Sequence, residues 1–180
     1  MIVDGIDIRY TLCFCVDVSG GEVLALKRAK APNKGLWNGL GGKIEPGESP
    51  LVNVRRELRE EAGIDLPESA FLFRGIVTWN RYPGRSQSEG MVLFVARVNG
   101  ELRRRSLPSS DEGYLAWLSL EWLAASENVE AADNLCHFLI DAIAGRELLR
   151  VACQYDATTL LGVCREVLPT GTIDPEGNWP

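Results

Sequence analysis

The sequence is poor in the side chains that hold transition metals. Its 180 residues include one histidine, His137, and five cysteines, of which no two form a Cys-x-x-Cys pair. This pattern argues against a zinc site. Cys13 and Cys15 stand two residues apart in an apolar run, which places both on one face of a strand. We expect them to be buried and reduced.

The chain also lacks an excess of basic residues. It has 19 lysines and arginines against 25 aspartates and glutamates, a net charge of −6, which argues against a nucleic acid polymer as partner. No apolar run approaches the roughly 20 residues of a membrane span. The start, MIVDGIDIRY, is acidic and so unlike a secretory signal. We therefore predict a cytoplasmic protein with no membrane partner. A small polyanionic substrate is compatible with this charge if a cation mediates its binding.

No long linker, repeat or low-complexity block divides the chain. We predict a single domain over 1–180, with a core over about 8–146, a C-terminal hairpin over about 147–168 that carries no recognisable chemistry, and a loose tail over 169–180. The predicted strands cover residues 10–18, 23–29, 37–40, 70–80, 90–98 and 115–120. The predicted helices outside the segment treated next cover residues 119–126 and 131–145. Interleaved strands and helices are typical of a mixed α/β domain with its sheet between helices.

The distinctive segment is GLGGKIEPGESPLVNVRRELREEAGI, residues 39–64, which contains five glutamates. Within it, Ser49 can cap a helix that begins at Pro50 and ends at Gly63. The predicted apolar stripe of this helix consists of Leu51, Val54, Leu58 and Ala62.

Three glutamates crowd one side of the predicted helix. Glu57, Glu60 and Glu61 are spaced i, i+3 and i+4, so they fall within an arc of about 100° beside the apolar stripe. Carboxylates in that position lose water and repel one another. Either the face is a solvated charged surface, or it holds a divalent cation such as Mg²⁺, which takes oxygen ligands and can bind phosphates at the same time.

The order of residue types favours the cation. Five residues separate Gly42 from Glu48, and seven residues separate Glu48 from Arg-Glu-Leu-Arg-Glu-Glu-Ala-Gly-Ile, residues 56–64. Seven fixed residue types and two aliphatic ones would match by chance at roughly 10⁻⁹ per starting position. This is the Nudix box at every defined position, so the chain resembles the Nudix hydrolases. The resemblance implies an α/β/α sandwich with a mixed sheet and a catalytic loop-helix-loop that binds Mg²⁺, or Mn²⁺, and hydrolyses nucleoside diphosphate derivatives by water attack at phosphorus.

The resemblance also implies roles for individual residues. The implied metal ligands are the Gly41 carbonyl and the carboxylates of Glu57, Glu60, Glu61 and Glu112. Arg56 would orient the glutamates, and either Glu60 or Glu112 would take the proton of the attacking water. The implied structural residues of the box are Gly42, Glu48 and Gly63.

The flanking segments GLWNGLGGK and SSDEGYLAWLSL resemble the MutT-like branch, which clears oxidised purine nucleoside triphosphates. The implied substrate contacts are Trp37, Asn38, Lys43, Asp133 and Asn134. Asp133 and Asn134 match that branch only after a shift of one or two residues, and the alternative is that they are ordinary residues of a helix's first turn. Trp79, Arg81 and Tyr82 could stack on a base or cover the site, with edge packing as the alternative.

Three functions fit these features. The leading one is a nucleoside triphosphate diphosphatase that favours 8-oxo-dGTP and releases a monophosphate and pyrophosphate. The second is a nucleotide-sugar or ADP-ribose pyrophosphatase, and the third a silent nucleotide- or protein-binding module, against which the three intact glutamates weigh. The expected partner is a small nucleotide. A homodimer is compatible with the sequence, but nothing in it indicates one.

Overall fold

The computed structural model describes residues 2–3, 5–17, 21–80, 89–108, 111–145 and 147–168. Within these residues nine strands form one sheet in the order β4-β3-β2-β6-β5-β8-β9, with β1 beside β2 and β7 beside β3. The strands are β1 (Ile2–Val3), β2 (Ile6–Asp17), β3 (Glu22–Arg28), β4 (Trp37–Asn38), β5 (Phe71–Trp79), β6 (Glu89–Val98), β7 (Gly113–Ser119), β8 (Leu149–Asp156) and β9 (Thr159–Val167). The helices are α1 (Pro50–Ala62), α2 (Gly100–Arg103), α3 (Leu120–Leu123) and α4 (Leu139–Ala144).

The sheet is mixed, as predicted. Strands β2 and β3 form an antiparallel hairpin, whereas β2 runs parallel to β6 and β5 runs parallel to β8. The predicted C-terminal pair of strands is present, because β8 and β9 are antiparallel neighbours at one end of the sheet. The predicted tail, residues 169–180, lies outside the described residues.

Helix α1 has the predicted bounds, and its ends are fixed by local hydrogen bonds. The Ser49 hydroxyl accepts the N–H of Val52 at 3.2 Å, and Pro50 occupies the first position. Gly63 ends the helix in the left-handed conformation, with φ of 64°, and donates its N–H to the Arg59 carbonyl. The predicted apolar stripe is buried: Leu51, Val54, Leu58 and Ala62.

The core lies on both faces of the sheet, which confirms the sandwich. Because side chains alternate along a strand, Cys13 and Cys15 face the cluster around α1, while Leu12 and Phe14 face a second cluster. The second cluster contains Leu135, Phe138 and Leu139. The cysteine prediction is confirmed, since Cys13 and Cys15 are fully buried and free.

The helix predicted over 131–145 is wrong in its first half. Ala131 forms a bridge with Trp37, and the Ala132 N–H donates to the Trp37 carbonyl at 2.9 Å, so this stretch pairs with β4. A 3₁₀ turn over Leu135–His137 follows, and α4 begins only after the buried Phe138, whose φ is −144°. Pairing with a distant strand has overridden local helix propensity.

The remaining helices are short. The helix predicted over 119–126 is limited to the four residues of α3, and α2 was not predicted. None of the helices in the described part of the chain has the length and apolar character needed to cross a membrane.

Candidate active site

A cleft of about 980 Å³ brings most of the predicted site residues together. The predicted residues that line it are Asn38, Gly41, Gly42, Lys43, Glu57, Glu60, Glu61, Glu112, Asp133 and Asn134. Arg56 and Glu48 lie behind this lining and contact it through the ion pairs described below. Gly63 ends α1, as described above.

Glu61 is the most buried carboxylate of the cleft, with 4% of its surface exposed. Its Oε2 accepts the backbone N–H of Gly41 at 2.9 Å. Burial raises the pKa of Glu61 to about 7, and the nearby Glu57 adds to the rise. Among the described residues no lysine or arginine forms an ion pair with this carboxylate. A desolvated carboxylate of this kind needs a proton or a cation.

Glu57 and Glu60 differ in exposure. The Glu57 side chain is 13% exposed, and burial raises its pKa although Arg56 lies 2.9 Å from its Oε1. Gly42 makes room for it, because a Cβ at that position would overlap the Glu57 carboxylate. The Glu60 side chain is 58% exposed, so the expected desolvation holds for two of the three glutamates and not for Glu60.

Arg56 ties the glutamates together. Its Nε donates to Oε1 of Glu48 at 2.8 Å, and its Nη1 donates to Oε2 of Glu60 at 2.9 Å and also contacts Glu57. This guanidinium holds the pKa of Glu48 at about 2 and has its own pKa raised in return. Arg56 therefore joins the glycine loop (residues 39–49) to α1 through Glu48 and contacts two further glutamates of the helix.

Sequence reasoning missed Asn53, which fastens the glycine loop to α1. This fully buried side chain donates to the Lys43 carbonyl at 2.7 Å and to Oε2 of Glu48 at 2.9 Å. Its Oδ1 accepts the Thr11 hydroxyl at 2.6 Å. The signal available in the sequence was Asn53 itself, a single amide side chain beside the predicted apolar stripe of α1.

The Glu48–Arg56 pair predicts a pH dependence of stability. Because the folded-state pKa of Glu48 lies at about 2 instead of 4.5, its contribution is complete above about pH 4.5 and is lost as the pH falls towards 2. We expect Glu48→Gln to lower the free energy of unfolding by about 1 kcal/mol at pH 7, since the pair is partly screened by water, and by less at pH 3. Urea denaturation at both pH values measures this. Glu45→Gln, on an exposed position of the same loop, is the control, and an equal effect of Glu48→Gln at pH 3 and 7 would contradict the prediction.

Glu112 faces the same cleft from the turn before β7. Its Oε1 lies 2.5 Å from Nζ of Lys30, and its charge contributes to the raised pKa of Glu61. Within the described ranges no three acidic, histidine or cysteine side chains are close enough to form a metal-binding group. Arg56 and Lys30 draw the carboxylates of Glu57, Glu60 and Glu112 to themselves, so these would have to turn to share an ion.

Aromatic side chains line another part of the cleft. Tyr10 of β2 and Trp79 of β5 both line it, with ring centroids 6.0 Å apart and planes tilted by 35°. Met91 of β6 lies in the same lining. The other two residues of the predicted stacking group, Arg81 and Tyr82, lie outside the described residues.

Trp37 does not reach the cleft, unlike its neighbour Asn38. It is 7% exposed and belongs to the second core cluster, with Tyr114 against one edge and Lys27 Nζ 5.5 Å from its ring centroid. Consecutive strand residues point to opposite faces, so Trp37 is a core residue in this structure. Arg28, one residue beyond Lys27, does line the cleft.

The C-terminal hairpin, in which the sequence showed no recognisable chemistry, contributes to the lining of the cleft. Tyr155 and the turn residues Ala157 and Thr158 line the cavity. The Asn80 side chain donates to the Tyr155 carbonyl at 3.1 Å and accepts the Tyr155 N–H at 2.8 Å. Strand β8 is thus fastened to the end of β5.

Comparison with known proteins agrees with this geometry. Residues 8–138 match the NUDIX domain. An uncharacterized Nudix hydrolase of Bacillus subtilis, YvcI, is 29% identical over 141 residues, which cover 78% of this chain and 84% of that protein. The crystal structure of the MutT protein from Bacillus halodurans superposes with a TM-score of 0.71 at 25% identity, covering 87% of this chain and 96% of the other.

A shorter match links the chain to an enzyme with a named substrate. The CTP pyrophosphohydrolase of Escherichia coli is 44% identical over 50 residues, 28% of this chain and 37% of that protein. The NUDIX match covers well over half of the chain and includes the glycine loop, α1 and the cleft residues up to Asn134. The chain therefore belongs to the Nudix hydrolase family, which acts on pyrophosphate bonds.

Proposed function

We propose that this protein is a Mg²⁺-dependent nucleoside triphosphate diphosphatase that releases a nucleoside monophosphate and pyrophosphate, with oxidised guanine nucleotides as favoured substrates. One observation carries the proposal: a single cleft holds the carboxylates of α1 together with aromatic and amide side chains. The carboxylates suit a metal-bound phosphate chain, and the rings and amides suit a base.

The chemistry of the carboxylates suits a hard divalent cation once their side chains turn towards it. Glu61 is a buried carboxylate that forms no ion pair among the described residues, and Glu57 is desolvated as well. Glu57, Glu60, Glu61, Glu112 and the Gly41 carbonyl are the groups that would hold Mg²⁺, or Mn²⁺. When bound, the metal would supply charge neutralisation at the phosphoryl oxygens and a more acidic water.

The chain's own side chains would do the remaining work. Arg28 and Lys43 line the cleft and would serve as cations for the phosphate chain. Glu60 is the most exposed glutamate of α1 and can reach solvent. We therefore assign it the role of the general base that accepts the proton of the attacking water. Arg56 would keep Glu57 and Glu60 oriented, because it contacts both.

Asn38 supports an oxidised purine as the base. Its Oδ1 accepts the Gly39 N–H at 2.9 Å, so the amide oxygen is engaged and the amide N–H groups are the side that we assign to a base carbonyl. An 8-oxoguanine presents two carbonyl oxygens as well as N–H donors, whereas adenine has no carbonyl. The CTP enzyme described above supports a triphosphate substrate but a different base, so the base preference needs its own measurement.

The test is a Mg²⁺-dependent hydrolysis panel with product identification. We expect pyrophosphate release from 8-oxo-dGTP with a kcat/KM at least about tenfold above that for dATP. The panel includes dGTP, dCTP, a nucleotide sugar and ADP-ribose. Cleavage of ADP-ribose or the sugar alone would overturn the proposal in favour of the second pyrophosphatase class, and no cleavage at all would favour a silent module.

A further inference from the structure

The hairpin β8–β9 touches the two polar residues assigned to the base. Tyr155 donates its hydroxyl to Oδ1 of Asp133 at 2.8 Å. The side chain of Cys153, two residues earlier on β8, lies close enough to that of Asn134 for the amide to lower the pKa of the thiol, which burial raises. Residues two apart on a strand share a face. One face of β8 therefore lies against Asp133 and Asn134, two consecutive residues of the cleft.

The segment that carries Asp133 and Asn134 has little regular structure to fix it. It lies between the bridge of Ala131 to Trp37 and the 3₁₀ turn at Leu135. Asp133 is exposed and lines the cleft. An aspartate in such a position samples several rotamers unless a partner fixes it, and the half-buried Tyr155 supplies that partner.

Strand order puts this contact far from the carboxylates of α1. Helix α1 packs against β2, whereas β8 is three strands away in the order β2-β6-β5-β8. Three spacings between neighbouring strands amount to about 14 Å. This distance is comparable to the span from a nucleotide's phosphates to its base. Trp79 pairs with Cys153 in register, so an aromatic side chain of the cleft stands directly beside the hairpin.

We propose that the C-terminal hairpin is the specificity element of the cleft, in which Tyr155 is a positioning residue that fixes Asp133 as the acceptor for a base with two adjacent N–H donors. This inference rests on the proposed function. Guanine and 8-oxoguanine offer N1–H and the exocyclic amine side by side, hypoxanthine offers only N1–H, and adenine has no N1–H. With Oδ1 engaged by the tyrosine, Oδ2 of Asp133 is available to accept from that edge. A base that covers Oδ2 of Asp133 without donating to it would take water from the carboxylate and leave it unpaired, which penalises the wrong base.

The test compares Tyr155→Phe, Asp133→Asn and the double variant with the wild-type chain. For Tyr155→Phe we expect KM for dGTP to rise about tenfold, with kcat within twofold and dATP kinetics unchanged. Asp133→Asn should raise the KM for dGTP by more than Tyr155→Phe does. For the wild type, the kcat/KM for dITP should lie between the values for dGTP and dATP. Because Tyr155 acts through Asp133, the double variant should be no worse than Asp133→Asn alone. Tyr114→Phe, an exposed tyrosine against Trp37, is the matched control.

Base selectivity is also measured without catalysis, by calorimetric binding of dGMP and dAMP. We expect dGMP to bind the wild type more tightly than dAMP, and Tyr155→Phe to remove most of that difference. An unchanged difference, equal losses for both bases, or additive effects in the double variant would overturn the inference. If the wild type discriminates between the monophosphates but hydrolyses no nucleotide, the proposed function fails while the inference stands.

Discussion

Replacing Glu61 by glutamine is expected to reduce Mg²⁺-dependent hydrolysis by about 10³-fold or more while leaving the protein folded. Glutamine keeps the shape and can still accept the Gly41 N–H, but it removes the charge that a cation would share. Turnover measured across a Mg²⁺ titration should not recover at high metal concentration, because the defect is the missing carboxylate.

The same variant separates catalysis from stability. Glu61 is 4% exposed, and a desolvated carboxylate destabilises the folded state when it is ionised. We therefore expect metal-free Glu61→Gln to melt no lower than the metal-free wild type at pH 8. Glu121→Gln, on an exposed position of α3, is the control for both measurements. Wild-type turnover in Glu61→Gln would contradict the role of this glutamate, and a lowered melting temperature would contradict the account of its burial.

The fold of the catalytic segment could be predicted because its determinants are local. Ser49 and Gly63 set the ends of α1 through hydrogen bonds to residues three or four positions away, and Pro50 occupies the first position. The i, i+3, i+4 spacing places the glutamates on one side of any helix that forms. What the spacing could not give was their different burial, which depends on how Gly41 and Gly42 of the loop meet Glu61 and Glu57.

The end of the cleft that we assign to the base, around Asn38 and Asp133, could not be predicted as well, because its determinants are distant in sequence. Trp37 pairs with Ala131, 94 residues later, and this pairing replaces the predicted start of a helix and turns Asn38 rather than Trp37 to the cleft. Tyr155 reaches Asp133 only because β8 adds to the sheet beside β5. No periodic pattern in the neighbouring sequence predicts either contact.

Gly75 is the residue that lets β8 approach β5. It stands at an irregularity in the β5–β6 register, opposite Leu149, with φ of 119°. A Cβ at this position would overlap the backbone carbonyl of Leu149. Backbone atoms cannot move aside as the end of a flexible side chain can, so an alanine must push the two strands apart.

We expect Gly75→Ala to lower the free energy of unfolding by about 2–4 kcal/mol, because it combines backbone strain with the loss of strand pairing. Chemical denaturation measures the change. Gly162→Ala, in β9 of the same hairpin, is the matched control, since a Cβ there meets nothing within 4 Å, and its effect should stay within about 0.5 kcal/mol.

Gly75→Ala also tests how the hairpin serves the cleft. If β8 is displaced, Tyr155 leaves Asp133, so the folded fraction of Gly75→Ala should lose dGTP-over-dATP selectivity in the way that Tyr155→Phe does. Helix α1 packs against β2, and β6 and β5 lie between β2 and β8, so kcat should fall much less than selectivity. Equal stability of the two alanine variants would show that β8 does not need the close approach at Gly75. A loss of kcat with selectivity intact would show that the hairpin supports the catalytic helix instead of the base.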